Sequence, residues 1–365
     1  MDERRSSLEV RAKTIGAPWQ RILIAVVVFA LSVSLVHPLL AQGGPVDAGP
    51  GLGDPYFPNQ GNSGFDVTHY DLDLQVDPKR HVIRGAANIT LTPTVDLRSF
   101  TLDLAGFDVS SVDVDGASAQ FERVERKLRV LPARPLTAGN RANVRIIYAG
   151  KPQTSDRTGW LWYEGGGALV STQTNGASTL FPCNDHPSDK ATFSFALTVP
   201  RGMVGVANGL LNGQSSTDAH LSRFEWNEPA PFPTYAAVVA VGRYRLEQGS
   251  SRDGLPIISA FPKVGGKKIK NKDRRKAAKK DLQSLKKKFQ GQGDIVSVLD
   301  DYFGPYPYSS IGAIVPPIDN LEPIEAASRP TYPGVSKVLK DKDFEQLVAH
   351  EIAHQWFGNA VALRS

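Results

Sequence analysis

A strict alternation of apolar and polar residues in several short segments constrains the fold of this chain most. In residues 69–77, HYDLDLQVD, every second side chain is apolar, and residues 191–199, ATFSFALTV, repeat the pattern. The same two-residue period recurs in three shorter runs, at residues 87–91, 100–104 and 144–146. Successive side chains of a strand point to opposite faces, so this period predicts strands with one buried and one solvated face.

Turn-forming residues separate these segments from one another. The chain has 365 residues with 33 glycines and 26 prolines, and its apolar content of 41% is enough for two or more buried cores. We therefore predict one antiparallel, sheet-rich domain over residues 65–248. Residues 42–64 are rich in Gly, Pro and Asn without periodicity, which predicts a linker. Cys183 is the only cysteine, which excludes an intrachain disulfide.

The N-terminal residues 1–41 have the pattern of an export signal. Five Lys or Arg residues precede the apolar run ILIAVVVFALSVSLV at residues 22–36, and the small residue Ala41 follows it. The run is short for a membrane span of about 20 residues, which favours cleavage. An uncleaved anchor over residues 22–40 stays open if the helix tolerates Pro38. Either outcome predicts a secreted or extracytoplasmic protein.

Positive charge is concentrated in one block, residues 263–288. The block holds thirteen Lys or Arg against two Asp, a balance of +11, so the rest of a chain with a total charge of +5 carries −6. Within residues 273–289, apolar side chains at spacings of four, three and four predict an amphipathic helix. Two roles are open for it: packing on a neighbour, or contact with anionic lipid or cell-wall polymer. No nucleic-acid partner is expected, because aromatic residues do not interleave with the charges.

A further helix is predicted to begin near Asp343. Phe344, Val348 and Ile352 recur on it at every fourth residue, the spacing of one helix face, so they could face a core. The sequence HEIAH, at residues 350–354, lies on the same helix.

The two histidines of this sequence, His350 and His354, project from the same side of the helix, one turn apart. Two imidazoles so placed can both bind one Zn²⁺ at about 2.0–2.1 Å. Glu351 points partly aside, so it can act on the water of the metal as a general base rather than bind the metal. The pattern predicts one zinc ion and suits peptide hydrolysis.

Three segments together resemble a known family. Residues 350–359, HEIAHQWFGN, resemble the HExxHxWFGN signature of the M1 zinc aminopeptidases, the gluzincin group of aminopeptidase N and leukotriene A4 hydrolase. Residues 180–193, LFPCNDHPSDKATF, are similar to the family's FPCxDxPxxKATF stretch, and residues 302–308, YFGPYPY, to its FGPYP segment. The three segments follow one another in the family's order.

The resemblance implies an α+β fold and an aminopeptidase. It implies an antiparallel, β-rich, saddle-like N-terminal domain followed by the beginning of a thermolysin-like α/β catalytic domain at residues 249–365. It also implies removal of N-terminal residues from peptides by zinc-activated water. The expected partners are therefore peptide substrates with a free N-terminus.

The resemblance also implies two residues that bind the substrate's α-amine. The family's Gly-x-Met-Glu-Asn stretch corresponds to EPIEA at residues 322–326, where only the glutamate, Glu325, matches. The Thr-Tyr pair at residues 331–332 lies at the family's distance and supports this alignment. The family's second amine contact lies nine residues before the proline of the FPC stretch, which is Gln173 here, nine before Pro182.

The family's third metal ligand has no counterpart in this sequence. It is a glutamate nineteen residues after the second histidine, which here would be position 373, and residues 360–365 contain no Asp, Glu, His or Cys. We therefore expect a C-terminally truncated fragment with little activity alone. We also expect the end of the helix to be incompletely packed, with Phe344, Trp356 and Phe357 exposed.

Two alternatives to an aminopeptidase stay open. The first is a non-catalytic β-sheet binding module with a remnant zinc motif, which zinc content and hydrolysis of an aminoacyl substrate would distinguish. The second is an endopeptidase or an epoxide hydrolase of the same fold, because the residues around Glu325 depart from the family's stretch.

Overall fold

Strands account for 45% and helices for 15% of the structure, which is a computed structural model. It describes residues 44–154, 158–263, 272–319, 321–334 and 341–364. The described residues from Pro45 onward belong to one compact unit. The predicted β-rich α+β fold is confirmed.

The strands form one large sheet, two smaller sheets and a hairpin. In chain order they are β1 Val46–Asp47, β2 Phe65–Asp77, β3 Val82–Pro93, β4 Leu97–Asp103, β5 Asp108–Val114, β6 Ala117–Ser118, β7 Gln120–Val124, β8 Lys127–Leu131, β9 Ala142–Gly150, β10 Gly159–Tyr163, β11 Gly167–Ser171, β12 Lys190–Pro200, β13 Val204–Ala207, β14 Leu210–Ser216, β15 Leu221–Pro233, β16 Val239–Gly242, β17 Tyr244–Ser250 and β18 Pro256–Pro262. The eight-stranded sheet has the order β14-β15-β12-β2-β3-β9-β5-β6. The four-stranded sheets are β1-β4-β8-β7 and β10-β11-β16-β13, and β17 pairs with β18.

The alternation seen in the sequence places the predicted side chains in the core of the large sheet. In β2 the side chains of Tyr70, Leu72 and Leu74 have no exposed surface. β2 and β12 lie side by side and parallel, with Leu72 opposite Phe195, so the centre of the sheet is mixed rather than antiparallel. A period of two sets which face is buried but not the direction of the neighbouring strand, which explains the difference.

The segment predicted as a linker, residues 42–64, packs onto this unit in its described part. Val46–Asp47 pairs in parallel with β4. Asn62 is fully buried and donates through Nδ2 to Asp103 Oδ2 at 2.8 Å. The predicted boundary at residue 248 falls inside the β17–β18 hairpin. Strand pairing and hydrogen bonds therefore attach this segment to the sheets.

Three helices are described: α1 Lys272–Lys288, α2 Gln292–Phe303 and α3 Asp341–Ala353. They share a second core, in which Phe344, Val348 and Ile352 are fully buried. Leu285 and Phe289, from the apolar stripe of α1, lie in the same core. The basic helix therefore packs on its neighbours through this stripe.

The expected exposure of the end of α3 is wrong for two of its three aromatic residues. Phe344 is fully buried, with its ring 5.3 Å from that of Phe289. Trp356 is 5% exposed, and its indole N–H donates to the carbonyl of Gly304 at 2.9 Å. Phe357 is 53% exposed, as expected. Contacts within this chain are thus sufficient to cover most of the helix end.

Two predicted segments lie outside the described residues, namely the export signal at residues 1–41 and residues 264–271 of the basic block. Both stay predictions. Within the described ranges, no helix is both long enough and apolar enough to cross a membrane.

Candidate metal and amine site

The two histidines of the HEIAH sequence face one another at the end of α3. Their Nε2 atoms are 3.1 Å apart, and the ring planes are nearly perpendicular at 87°. His354 Nδ1 lies 3.0 Å from the carbonyl oxygen of Phe357. A carbonyl only accepts hydrogen bonds, so Nδ1 carries the proton and the Nε2 lone pair faces His350. His350 is exposed and His354 half-buried, so the pair is open to solvent.

This arrangement suits two ligands of one zinc ion. Two tetrahedral ligands at 2.0–2.1 Å from zinc stand about 3.4 Å apart, close to the observed separation. The hydrogen bond from Nδ1 to a carbonyl is the contact that orients a metal-binding imidazole. Among the described residues, no group of three His, Cys, Asp or Glu side chains is placed to hold a metal ion. The described part of the chain therefore places two imidazoles, and no third such side chain, within reach of one ion.

Glu351 lies beside the pair but is buried, at 4% exposure. Its Oε2 has no hydrogen-bond partner among the described residues. Burial raises the pKa of this carboxyl to about 8, and the charge of Glu325 adds to the shift. A raised pKa makes the ionised form of this carboxyl a stronger base than an ordinary glutamate, and its Oε2 atom is free to accept a proton.

The two predicted amine-binding residues touch each other. Gln173 follows the end of β11 and Glu325 lies in the loop before α3, yet Gln173 Nε2 donates to Glu325 Oε1 at 2.7 Å. Both side chains are half-buried. Glu325 is also close enough to Glu351 to raise the pKa of its carboxyl. The structure therefore brings together residues that lie 152 positions apart in the sequence.

Two buried amides attach the loop of Glu325 to the end of α3. Asn359 Nδ2 donates to the carbonyl oxygen of Glu325 at 2.5 Å. Gln355 Oε1 accepts from the backbone N–H of Ser328 at 2.7 Å, and its Nε2 donates to the carbonyl of Glu351 at 3.2 Å. Both amide side chains are fully buried. The sequence QWFGN thus also connects the loop to the helix.

One residue at this site, Tyr235, was not predicted from the sequence. It lies in a 3₁₀ turn, Thr234–Ala236, and its hydroxyl donates to the carbonyl of Gly358. Burial raises the pKa of this hydroxyl, and Glu325 adds to the effect. The Thr172 hydroxyl lies 2.5 Å from the carbonyl oxygen of Tyr235. No periodicity or motif marks Tyr235, because its partner is distant in the sequence.

Comparison with known proteins identifies the chain's relatives. Residues 67–236 match the Peptidase M1 N-terminal domain family. The chain is 23% identical over 314 residues to leukotriene A-4 hydrolase of Xenopus laevis, covering 81% of this chain and 48% of that protein. It is 26% identical over 313 residues to leucine aminopeptidase 2 of Saccharomyces cerevisiae, covering 81% of this chain and 42% of that protein. The chain thus spans less than half the length of these curated relatives.

Solved structures agree with the sequence relatives. An M1 zinc metallopeptidase from Deinococcus radiodurans aligns with a TM-score of 0.73 and 29% identity, over 86% of this chain and 68% of that one. A variant of that peptidase bound to a Tyr-Ser-Ala substrate aligns with a TM-score of 0.72 and 28% identity, over 86% of this chain and 69% of that one. Residues 67–236 therefore form a domain of the Peptidase M1 N-terminal family, and the fold of the chain is similar to that of the M1 zinc metallopeptidases.

Proposed function

We propose that this chain carries part of the site of a zinc aminopeptidase, which removes N-terminal residues from peptides. His350 and His354 bind one zinc ion, Glu351 is the general base, and Glu325 with Gln173 binds the substrate's α-amine. One geometric observation carries the proposal: Glu325 accepts from Gln173, and its carbonyl accepts from Asn359, whose backbone N–H donates to the carbonyl of His354. The amine anchor is therefore linked by hydrogen bonds to the turn that carries the histidine pair.

Zinc, when bound, supplies Lewis-acid polarisation of a peptide carbonyl and of water. The chain's part is to present the two imidazoles with their Nε2 lone pairs on one side. The hydrogen bond from His354 Nδ1 to the carbonyl of Phe357 selects the tautomer that this requires.

Glu351 accepts a proton from the attacking water at its Oε2 atom. That oxygen is buried and has no partner among the described residues, so no existing hydrogen bond has to break. Burial raises the pKa of the carboxyl, which makes the carboxylate a stronger base. The same proton can then pass to the leaving amine.

The substrate's ammonium group binds to the Glu325 carboxylate and the Gln173 amide oxygen, which lie side by side. The carboxylate accepts charge-assisted hydrogen bonds from an ammonium. Gln173 Nε2 donates to Glu325, which leaves Oε1 of the amide as a further acceptor. An acetylated N-terminus has no charge and only one N–H donor instead of three, so the site selects peptides with a free amine.

Zinc and peptide binding by the purified chain test this proposal. We expect one zinc per chain in wild type, loss of zinc in His354→Ala, and retention in the control His220→Ala, an exposed histidine far along the chain. We expect Tyr-Ser-Ala to bind more tightly than its N-acetylated form. Absence of zinc binding, or equal affinity for the two peptides, would contradict the assignment.

Hydrolysis distinguishes an enzyme from the binding-module alternative. Release of amino acids from an aminoacyl chromogenic substrate, abolished by Glu351→Gln, supports an aminopeptidase. Zinc and peptide binding without release supports a binding module. Cleavage of N-acetylated peptides that persists in Glu325→Ala supports the endopeptidase alternative.

We further propose that the basic helix α1 contacts an anionic surface. Lys276, Lys279 and Lys280 are exposed, whereas Leu285 and Phe289 are buried in the core. Because the apolar stripe is occupied, this contact rests on charge alone and requires no insertion into lipid. It fits an extracytoplasmic location, with residues 22–40 as signal or anchor.

Vesicle sedimentation tests the contact. We expect binding to vesicles with anionic lipid, weakened by salt and by replacing these three lysines with glutamine, and no binding to zwitterionic vesicles. Binding to both kinds of vesicle would refute it, and cell fractionation tests the location.

A further inference from the structure

A closed series of contacts joins the amine anchors to the histidine turn. It consists of four hydrogen bonds and two peptide bonds, and we call it the anchor ring. Its members are Thr172, Gln173, Tyr235, Glu325, Gly358 and Asn359.

We propose that Tyr235 and Asn359 are positioning residues that hold the amine anchor Glu325 at a set place relative to His354. The proposal rests on the proposed function, since it concerns how that site is held together. Neither residue is expected to touch the substrate or the metal. Each acts through the backbone of the residues that do.

Asn359 bridges the two halves of the site directly. Its backbone N–H donates to the carbonyl of His354 at 3.1 Å, and its side-chain Nδ2 donates to the carbonyl of Glu325 at 2.5 Å. The residue is fully buried. The other side chain within reach of the Glu325 carbonyl, Gln355 Nε2, is 3.5 Å away. Asn359 is therefore the shorter of the two connections between the anchor and the helix end.

Tyr235 acts on the same turn from the sheet side. Its hydroxyl donates to the carbonyl of Gly358, and the carbonyl of the preceding residue, Phe357, accepts the proton of His354 Nδ1. Gly358 has φ of 121°, and a Cβ there would lie 3.4 Å from His354 Nδ1 and 3.6 Å from the Tyr235 hydroxyl. The turn therefore passes close to both groups, and the hydroxyl holds the peptide next to the one that orients the imidazole.

Thr172 closes the ring on the side of Gln173. Its hydroxyl lies 2.5 Å from the carbonyl oxygen of Tyr235, and its own peptide bond continues into Gln173. A shift of Tyr235 therefore moves both the histidine turn and the amide that contacts Glu325. Loss of one ring member is expected to loosen the amine anchors and the imidazole together.

Two variants and two readouts test the ring. Tyr235→Phe removes one oxygen atom, and Asn359→Ala removes the donor to Glu325. The first readout is zinc affinity by competition with a chromogenic chelator. The second is the ratio of the dissociation constants of N-acetyl-Tyr-Ser-Ala and Tyr-Ser-Ala, measured by calorimetry with zinc present. A residue that only stabilises the fold would change the melting temperature but not this ratio.

We expect Tyr235→Phe to lower zinc affinity about tenfold, the low end for loss of a group that orients a metal ligand. We expect both variants to lower the peptide ratio about tenfold, the effect of one lost hydrogen bond. The matched controls are Tyr56→Phe, at a tyrosine 79% exposed, and Asn140→Ala, at an exposed asparagine. Both controls should keep the wild-type values.

The outcomes separate the two proposals. If wild type prefers the free amine and both variants keep the wild-type ratio and zinc affinity, the ring has no positioning role and the inference is overturned. If wild type has no preference for the free amine, the proposed function fails and the inference with it. Should Asn359→Ala not fold, Tyr235→Phe decides, because it changes no volume beyond one hydroxyl.

Discussion

The burial of Phe344 gives a prediction whose size follows from the structure. Phe344 lies in the first turns of α3, fully buried, with ring centroids 5.3 Å from Phe289 and 6.3 Å from Tyr332. Lys288 Nζ lies 4.9 Å from the centre of its ring. Phe344 therefore connects the helix that carries the histidines to α1 and to the loop that follows Glu325.

We expect Phe344→Ala to lower the free energy of unfolding by about 3–5 kcal/mol. A phenylalanine buries about 150 Å² or more, and at about 25 cal/mol per Å² this gives roughly 4 kcal/mol. Truncations of buried phenylalanine generally cost about the same. Phe357→Ala is the matched control, because Phe357 is the same residue type at the other end of the helix but 53% exposed. We expect it to cost about 1 kcal/mol or less.

Urea unfolding followed by circular dichroism measures both variants against wild type. The informative quantity is the difference between the two losses of unfolding free energy. We expect the loss to be about 3 kcal/mol larger for Phe344→Ala than for Phe357→Ala. Equal costs for Phe344→Ala and Phe357→Ala would refute the packing of α3 described here. The helix end would then be loosely packed, as the sequence had suggested.

Three further predictions follow from buried polar groups and from zinc. Burial raises the pKa of Asp185 to about 7 and that of Asp189 to about 8, so the folded protein keeps protons that the unfolded chain loses near pH 4. The free energy of unfolding should therefore fall as pH rises from about 4 to about 8. In urea titrations at several pH values, this fall should be smaller for Asp189→Asn than for wild type. An equal fall in both proteins would contradict the raised pKa of Asp189. Arg329 is fully buried and donates to the carbonyl of Ile258 at 2.7 Å. Arg329→Met leaves buried carbonyls unpaired and should lower the free energy of unfolding by about 3 kcal/mol in the same assay. A loss below about 1 kcal/mol would contradict this role of Arg329. Zinc at a hundred times its dissociation constant should stabilise wild type by about 2.7 kcal/mol in thermal melts but not His354→Ala; equal stabilisation of both would place the ion elsewhere.

Local patterns predicted several strands of the fold, the helices α1 and α3, and the histidine pair of the candidate site. The alternation in residues 69–77 identified the buried face of β2, and the spacing of Phe344, Val348 and Ile352 identified the buried face of α3. His350 and His354 were found in the same way. Each of these predictions depends on the geometry of a single strand or helix, which repeats at a fixed period.

Predictions that depend on contacts between two separate elements were wrong or missing. Exposure of Trp356 was expected from the resemblance, but the carbonyl of Gly304 and the ring of Tyr306 cover it. The linker prediction for residues 42–64 did not foresee that Asn62 is buried. Tyr235 carried no sequence signal at all. In each case the partner lies far away along the chain, and composition says nothing about it.

The sequence by itself determined which side chains are buried within each strand and helix, and it determined the pair of imidazoles on one helix face. These follow from periods of two and 3.6 residues, which are properties of the backbone. Only the tertiary structure decided that Gln173 meets Glu325, that Glu351 has a raised pKa, and that Tyr235, from a 3₁₀ turn, donates to the carbonyl of Gly358 in the histidine turn. Such contacts depend on how separate elements pack, because packing sets the burial and the hydrogen-bond partners of groups distant in sequence.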